Sequence, residues 1–331
     1  MPALEVDEVT TSAELEALAP AWEDLWRRAP AATPFQSPAW LLPWWQEVGD
    51  GELRVVLARR SGRLVGLLPM YRQHGSGKLL PLGIGISDYL DGLFAKGDAA
   101  AVASALLRRL VDRRDWRRGE LHPLRQGSPL LEARVPPGCG DQILEFDPCP
   151  VVEIPAGARD LDEILPGKIR ANIRYYRRRA EQAGRVSFET ATAATVAELL
   201  DALFRLHETR WQQLQQSGVL ADPAIRHFHR AAAPLLLRSG LLRLHALRLD
   251  QRVIAATYVL HLRQCTYFYV SGFDPNYGPL SPGTLILGHS IAHAIGEGAR
   301  EFDLLRGGER YKYFWGARDR PCYGRMLERA D

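Results

Sequence analysis

The sequence predicts an α/β protein of two similar units, each a mixed, mostly antiparallel sheet flanked by helices. Three observations carry that expectation. The chain has 331 residues, 46% hydrophobic and 24% charged, the profile of a globular protein long enough for two domains. The order helix, helix, hairpin, strand, helix, strand reads twice along it, although no residue-level repeat accompanies the pattern. A stretch rich in Pro and Gly, from Gly127 to Pro155, separates the two readings. The expected units are therefore 1–150 and 151–331.

In the first unit Leu4–Thr10 reads as a strand. Ser12 is placed to cap a helix whose apolar residues Leu15, Leu18, Trp22, Leu25 and Trp26 recur at helical spacing. A second amphipathic helix is expected over Pro38–Val48. The run LRVVLARRSGRLVGLLPMYR is a hairpin signal, with Ser61-Gly62 at the turn. A helix over Ala99–Arg114 and a strand at Glu120–His122 complete the unit. In the second unit helices are expected at Leu161–Ala183, Val196–Gln216 and Ala224–Arg238. A three-stranded meander, LLRLHALRL, VIAATYVLHL and TYFYVSGFD, follows. Then come a helix at Pro282–Gly298, a strand at Glu301–Leu305 and a short aromatic helix over Glu309–Trp315.

Composition narrows the function. A formal charge of +3 argues for no particular partner, but Arg residues cluster around Arg108–Arg118 and over Lys168–Arg179. Cys139, Cys149, Cys265 and Cys322 have no CxxC or Cys/His ligand spacing. We therefore expect reduced thiols, no metal site and a cytoplasmic protein. Acidic residues at the start stand where a secretion signal needs basic ones. No stretch approaches the ~20 apolar residues of a membrane span.

The segment Tyr267–Trp315 is the most informative. The strand TYFYV breaks at Ser271-Gly272-Phe273-Asp274-Pro275, and NYGPL leads to Ser281-Pro282-Gly283-Thr284. Ser favours an N-cap, Pro the first helical position, and Gly a close backbone approach. The amides of Gly283, Thr284 and Leu285 are expected to lack an intrahelical acceptor. With the ~+0.5 charge of a helix start, they suit a phosphate. An ordinary capped helix has the same residues, so the turn alone does not decide.

The ordered signature GFDP…SPG…FDLLRG…YKYFWG resembles the C-terminal part of the cellulose-biosynthesis (CelD-type) acetyltransferases. These are tandem GNAT proteins related to the FemABX aminoacyl transferases. The likeness reaches upstream through KIRANIRYYRRRAEQAG and LHETRWQQ…GVLADP, covering roughly 161–318, and continues more loosely in FQSPAWLLPWW. It implies tandem GNAT-like units, the second binding acetyl-CoA or another acyl-CoA through Ser281, Gly283, Thr284 and Leu285. It also implies transfer to a small-molecule acceptor, an amine or a sugar. The FemABX relationship leaves aminoacyl-tRNA as a less favoured donor, and a non-catalytic polysaccharide-assembly partner is a further alternative. The broader GNAT pattern has a longer Gly-rich run preceded by Arg or Gln, which this chain lacks.

Acyl transfer to an amine calls for a base and for a proton on the departing thiolate. Asp303, in EFDLL, is an unusual carboxylate between Phe302 and Leu304 and is the first candidate base. Glu208 and His207, in LHETRW, are the others; a solvated or paired Glu208 and a core His207 are the plain readings. Tyr311, on the last short helix, is the candidate acid, carried over by position from GNAT enzymes. Arg306 and Lys312 are expected to bind substrate. Arg170, Arg174, Arg177 and Arg178 share a helix face. Arg174 and Arg178 are therefore placed on a phosphate of substrate or tRNA, against the plain reading of a solvated face.

Overall fold

The computed structural model describes residues 3–213, 215 and 217–329. The chain divides into two compact units. One runs to Asp147 and is completed by the C-terminal segment from Arg320; the other is Pro148–Asp319.

The first unit begins with β1 (Leu4–Val9), α1 (Ser12–Ala17) and α2 (Ala19–Arg28). Thr11, not Ser12, caps α1: it accepts from the Glu14 amide, and the Glu14 carboxylate accepts from the Thr11 amide, closing a capping box. Next come α3 (Pro38–Glu47), β2 (Gly51–Leu53), β3 (Val55–Arg60) and β4 (Arg63–Leu68). The β3–β4 hairpin turns at Ser61 and Gly62, both at positive φ, 49° and 74°. β5 (Met70–Gln73), β6 (Leu79–Pro81), β7 (Leu93–Phe94), α4 (Ala99–Asp112), β8 (Arg118–Arg125) and α5 (Pro129–Glu132) follow. A four-stranded sheet, β1-β3-β4-β7, takes α4 on one face. Contact there is close at Gly66, where a Cβ would stand 2.3 Å from Val102 Cγ1. Val56, Leu106, Leu107 and Leu124 are among the buried residues of this core.

The stretch expected as a loose junction is instead a strand, β9 (Cys139–Glu153), and the unit boundary falls inside it. Pro and Gly misled because Gly140, Pro148 and Pro150 lie within the strand itself, while its VVE run pairs with Glu301–Asp303.

In the second unit α6 (Gly167–Ala183) starts after Pro166, not at Leu161, because Pro cannot continue a helix from before it. β10 (Val186–Thr190), α7 (Val196–Gln213) and α8 (Pro223–Arg238) follow. The meander β11 (Leu242–Leu249), β12 (Arg252–Leu262) and β13 (Cys265–Phe273) is antiparallel throughout. α9 (Pro282–Gly296), β14 (Glu301–Asp303), α10 (Arg310–Phe314) and β15 (Arg318–Arg329) complete the chain. α9 buries Leu285, Ile286, Leu287 and Ile291 and packs on β11, β12 and β13. α7 packs on β12 and β13, and a Cβ at Gly272 would stand 2.5 Å from the His207 amide nitrogen.

One feature of the pairing positions the site. β14 runs parallel to β13, but only over Cys265–Tyr267, and ends at Asp303. β13 continues to Phe273, so among the described residues its backbone has no strand partner on that side from Phe268 onward. An opening between two parallel strands results.

Candidate functional site

A cavity of about 500 Å³ lies at that opening, within the range of small-molecule sites. Phe268, Ser271 and Phe273 of β13 line it, together with Pro282, Gly283, Thr284 and Leu287 of α9. Gly272 between them faces α7, as strand alternation requires. Ile169, Asn172 and Tyr176 of α6, Arg210 of α7, and Tyr311, Phe314 and Trp315 complete the wall.

At the start of α9, Ser281 adopts a left-handed conformation, φ 47° and ψ 55°, rare for a residue with a Cβ. It caps differently from the expectation. Its hydroxyl bonds the Thr284 hydroxyl at 2.8 Å, and its carbonyl accepts from the Thr284 and Leu285 amides at 3.0 and 3.2 Å. Those two amides are therefore not available to a ligand, a correction to the three expected. Leu285 is 3% exposed and belongs to the core. Pro282 has no N–H, and among the described residues the Gly283 amide has no acceptor. Ser281, Gly283 and Thr284 all line the cavity; Leu285 does not.

Of the candidate acid–base residues only Tyr311 stands here. Its phenol is raised to about 12, mainly by partial burial and then by the Glu309 carboxylate, so it keeps its proton at neutral pH. Asp303 is fully buried, and its Oδ1 accepts from the Leu305 amide at 2.8 Å. That bond shapes the turn after β14, where Leu305 has φ 58°. Asp303 is not in the cavity wall.

His207 and Glu208 line a different cavity, of about 390 Å³, with Trp211 and Gly218. His207 Nε2 accepts from Trp211 Nε1 at 2.9 Å, and burial lowers its pKa to about 4, so it is neutral. Glu208 is paired with Arg226 at 2.9 Å, and Arg226 also donates to the Leu220 carbonyl, tying α7 to α8. The plain readings of both residues fit this geometry.

Lys312, expected on a ligand, is buried instead. Its ammonium donates to the carbonyls of Leu305, Arg306 and Gly307 at 3.0, 2.8 and 2.9 Å and pairs with Glu309 at 2.9 Å. All its donors are engaged, so it cannot be a free substrate cation. Arg306 is exposed and outside the cavity wall. On α6 the side chains facing the cavity are Ile169, Asn172 and Tyr176, whereas Arg174 and Arg178 are exposed outside it. Arg174 meets Asp162 at 3.2 Å, and Arg177 meets Glu181 at 3.0 Å.

Arg210 was missed as a site residue because i,i+2 neighbours in a helix tell little about which faces a cavity. Its guanidinium lies 5.1 Å from the Phe273 ring centroid. The spacing of Asn172 and Tyr176, four apart in an Arg-rich run, was a usable signal for a second face of α6.

Residues 167–313, wholly inside the second unit, match the family model of the acetyltransferase (GNAT) domain. The whole chain resembles several solved structures. FemX has a TM-score of 0.66 at 10% identity, covering 98% of this chain and 97% of FemX. L-PGS from Bacillus licheniformis scores 0.57 at 13%, covering 88% and 92%. The tandem GNAT protein from the clavulanic acid biosynthesis pathway scores 0.52 at 13%, covering 99% of each chain. At such identities these likenesses concern the fold, which is of the tandem GNAT-like α/β kind. No curated protein matches the sequence. The stretch that matches the acetyltransferase model thus supplies most of the wall of the cavity at the gap between β13 and β14.

Proposed function

We propose that the chain transfers an acyl group from acyl-CoA to a small-molecule amine or sugar by direct attack. The observation that carries this reading is the cavity where β13 leaves β14, with the α9 turn and Tyr311 both in its wall. It rests also on the acetyltransferase domain match. The Gly283 amide and the Ser281 and Thr284 hydroxyls would hold the donor's diphosphate at the positive end of α9. The apolar wall of Phe268, Leu287 and Trp315 suits a pantetheine arm.

In the reaction the acceptor's nitrogen or oxygen forms a bond to the acyl carbon while the carbon–sulfur bond breaks. Tyr311 supplies the proton that the departing thiolate takes up, and the acceptor's released proton replaces it through solvent. No carboxylate or imidazole of the described residues lines the cavity, so the acceptor must lose its proton to water or arrive neutral. Nor does a cysteine line it, which supports transfer without an acyl-enzyme. Aminoacyl-tRNA as donor would use the basic face of α6. Its Arg174 and Arg177 pair with Asp162 and Glu181 and lie outside the cavity wall.

Release of CoA from acetyl-CoA, followed across a panel of amines and amino sugars, tests the reading. Tyr311→Phe is expected to lower kcat about 100-fold at nearly unchanged KM for acetyl-CoA, as loss of a general acid does. An unchanged kcat removes Tyr311 from the chemistry. No acetyl-CoA-dependent product with any acceptor sinks the activity itself.

A further inference from the structure

We propose that the acceptor carries an anionic group, a carboxylate or a phosphate, and that Arg210 holds it; this rests on the acyltransferase reading above. Among the described residues lining the cavity, Arg210 is the one charged side chain. It stacks on Phe273 at 5.1 Å and has no carboxylate partner among those residues. Other arginines nearby are paired: Arg226 with Glu208 at 2.9 Å and Arg230 with Asp201 at 2.8 Å. The Glu208 carboxylate, two residues from Arg210, is thus already taken.

A guanidinium half-buried against Phe273 is poorly hydrated, and its planar fork of N–H donors matches a carboxylate or phosphate in a bidentate way. An acceptor with a second positive charge would face Arg210 with no acidic side chain in the wall to offset it. That repulsion excludes simple polyamines as effectively as the attraction selects anions.

The donor's diphosphate has a separate place. Gly283 touches the Phe273 ring, a Cβ there standing 3.3 Å from Phe273 Cδ1, so the α9 turn and Arg210 address the same ring from their own elements. Arg210 and Tyr311 line the same cavity, so an acceptor held by the guanidinium lies in one pocket with the phenol.

The test titrates the full chain, saturated with CoA so that no acyl transfer occurs, with matched probes by calorimetry: L-lysine against cadaverine, and glucosamine 6-phosphate against glucosamine. The expected result is at least tenfold tighter binding of an anionic member over its counterpart. Arg210→Gln removes that difference, Arg210→Lys restores part of it, and both variants keep the Kd for acetyl-CoA within twofold. Equal binding of both members of each pair, absence of binding by all four included, overturns the proposal. So does a preference that survives Arg210→Gln. Loss of acetyl-CoA affinity in Arg210→Gln assigns the guanidinium to the donor's phosphates and overturns it too. A wild-type chain that binds no acetyl-CoA fails at the earlier step and rejects the acyltransferase reading itself.

Discussion

The ammonium of Lys312 gathers three carbonyls of the turn after β14, and removing it leaves the buried Leu305 oxygen and the partly buried Arg306 and Gly307 oxygens without that donor. Each buried acceptor left unsatisfied costs about 1–3 kcal/mol. Lys312→Met is therefore expected to lower stability by roughly 3 kcal/mol, read as a fall in the urea midpoint at constant m. A midpoint within error of wild type contradicts the clamp. The same residue shows what the sequence could not tell. In ERYKYFWG a lysine that points away from the aromatic residues of its helix looks like a ligand contact, and only the path of the chain reveals that its head group turns inward. That Tyr311 stands in the cavity wall was legible from its position on the last helix, and that Ser281, Gly283 and Thr284 do so from their turn chemistry. Asp303 was legible as buried, but a buried carboxylate is as often a hinge of the backbone as a base.

At the scale of elements, α6 presents two faces with different tasks. Asn172 and Tyr176 line the cavity, with Ile169, while the arginines look elsewhere. Changing Arg174, Arg177 and Arg178 together to Gln is expected to alter the Kd for acetyl-CoA less than twofold by calorimetry. A tenfold loss would return the arginine row to the donor. Sequence periodicity gave the helix and its charged stripe, but which face meets a neighbour depends on α9, where Gly288 brings Ile173 close (3.1 Å from a Cβ placed at Gly288). Most elements were legible from apolar spacing and turn residues. Several were not, among them β10, α5, β9, hidden among Pro and Gly, and β15, whose RDRPCYGRMLER has too weak an alternation to stand out without the strand it pairs with. The parting of β13 from β14 was likewise out of reach, since register is a property of two strands together.

For the whole molecule, the buried imidazoles set an acid limit. Burial lowers His207 to about 4, His229 to about 3 and His289 to about 4, so all three stay neutral in the fold. The unfolded chain takes up protons near pH 6.5. Stability is therefore intact above that pH, falls as pH drops below it, and the loss from His207 is complete near pH 4, at about 3 kcal/mol. Urea midpoints measured from pH 7 to pH 4.5 are expected to fall more steeply in wild type than in His207→Gln, and equal slopes contradict this. Among the described residues no helix is long and apolar enough to cross a membrane.

The most direct measurement of where the donor binds is hydrogen exchange of the full chain with and without CoA. We predict slowed exchange in the peptide covering Gly278–Leu287 and in that covering Ser271–Phe273, with residues 4–125 unchanged. Binding of CoA without protection at Gly278–Leu287 would contradict the placement of its diphosphate at the head of α9.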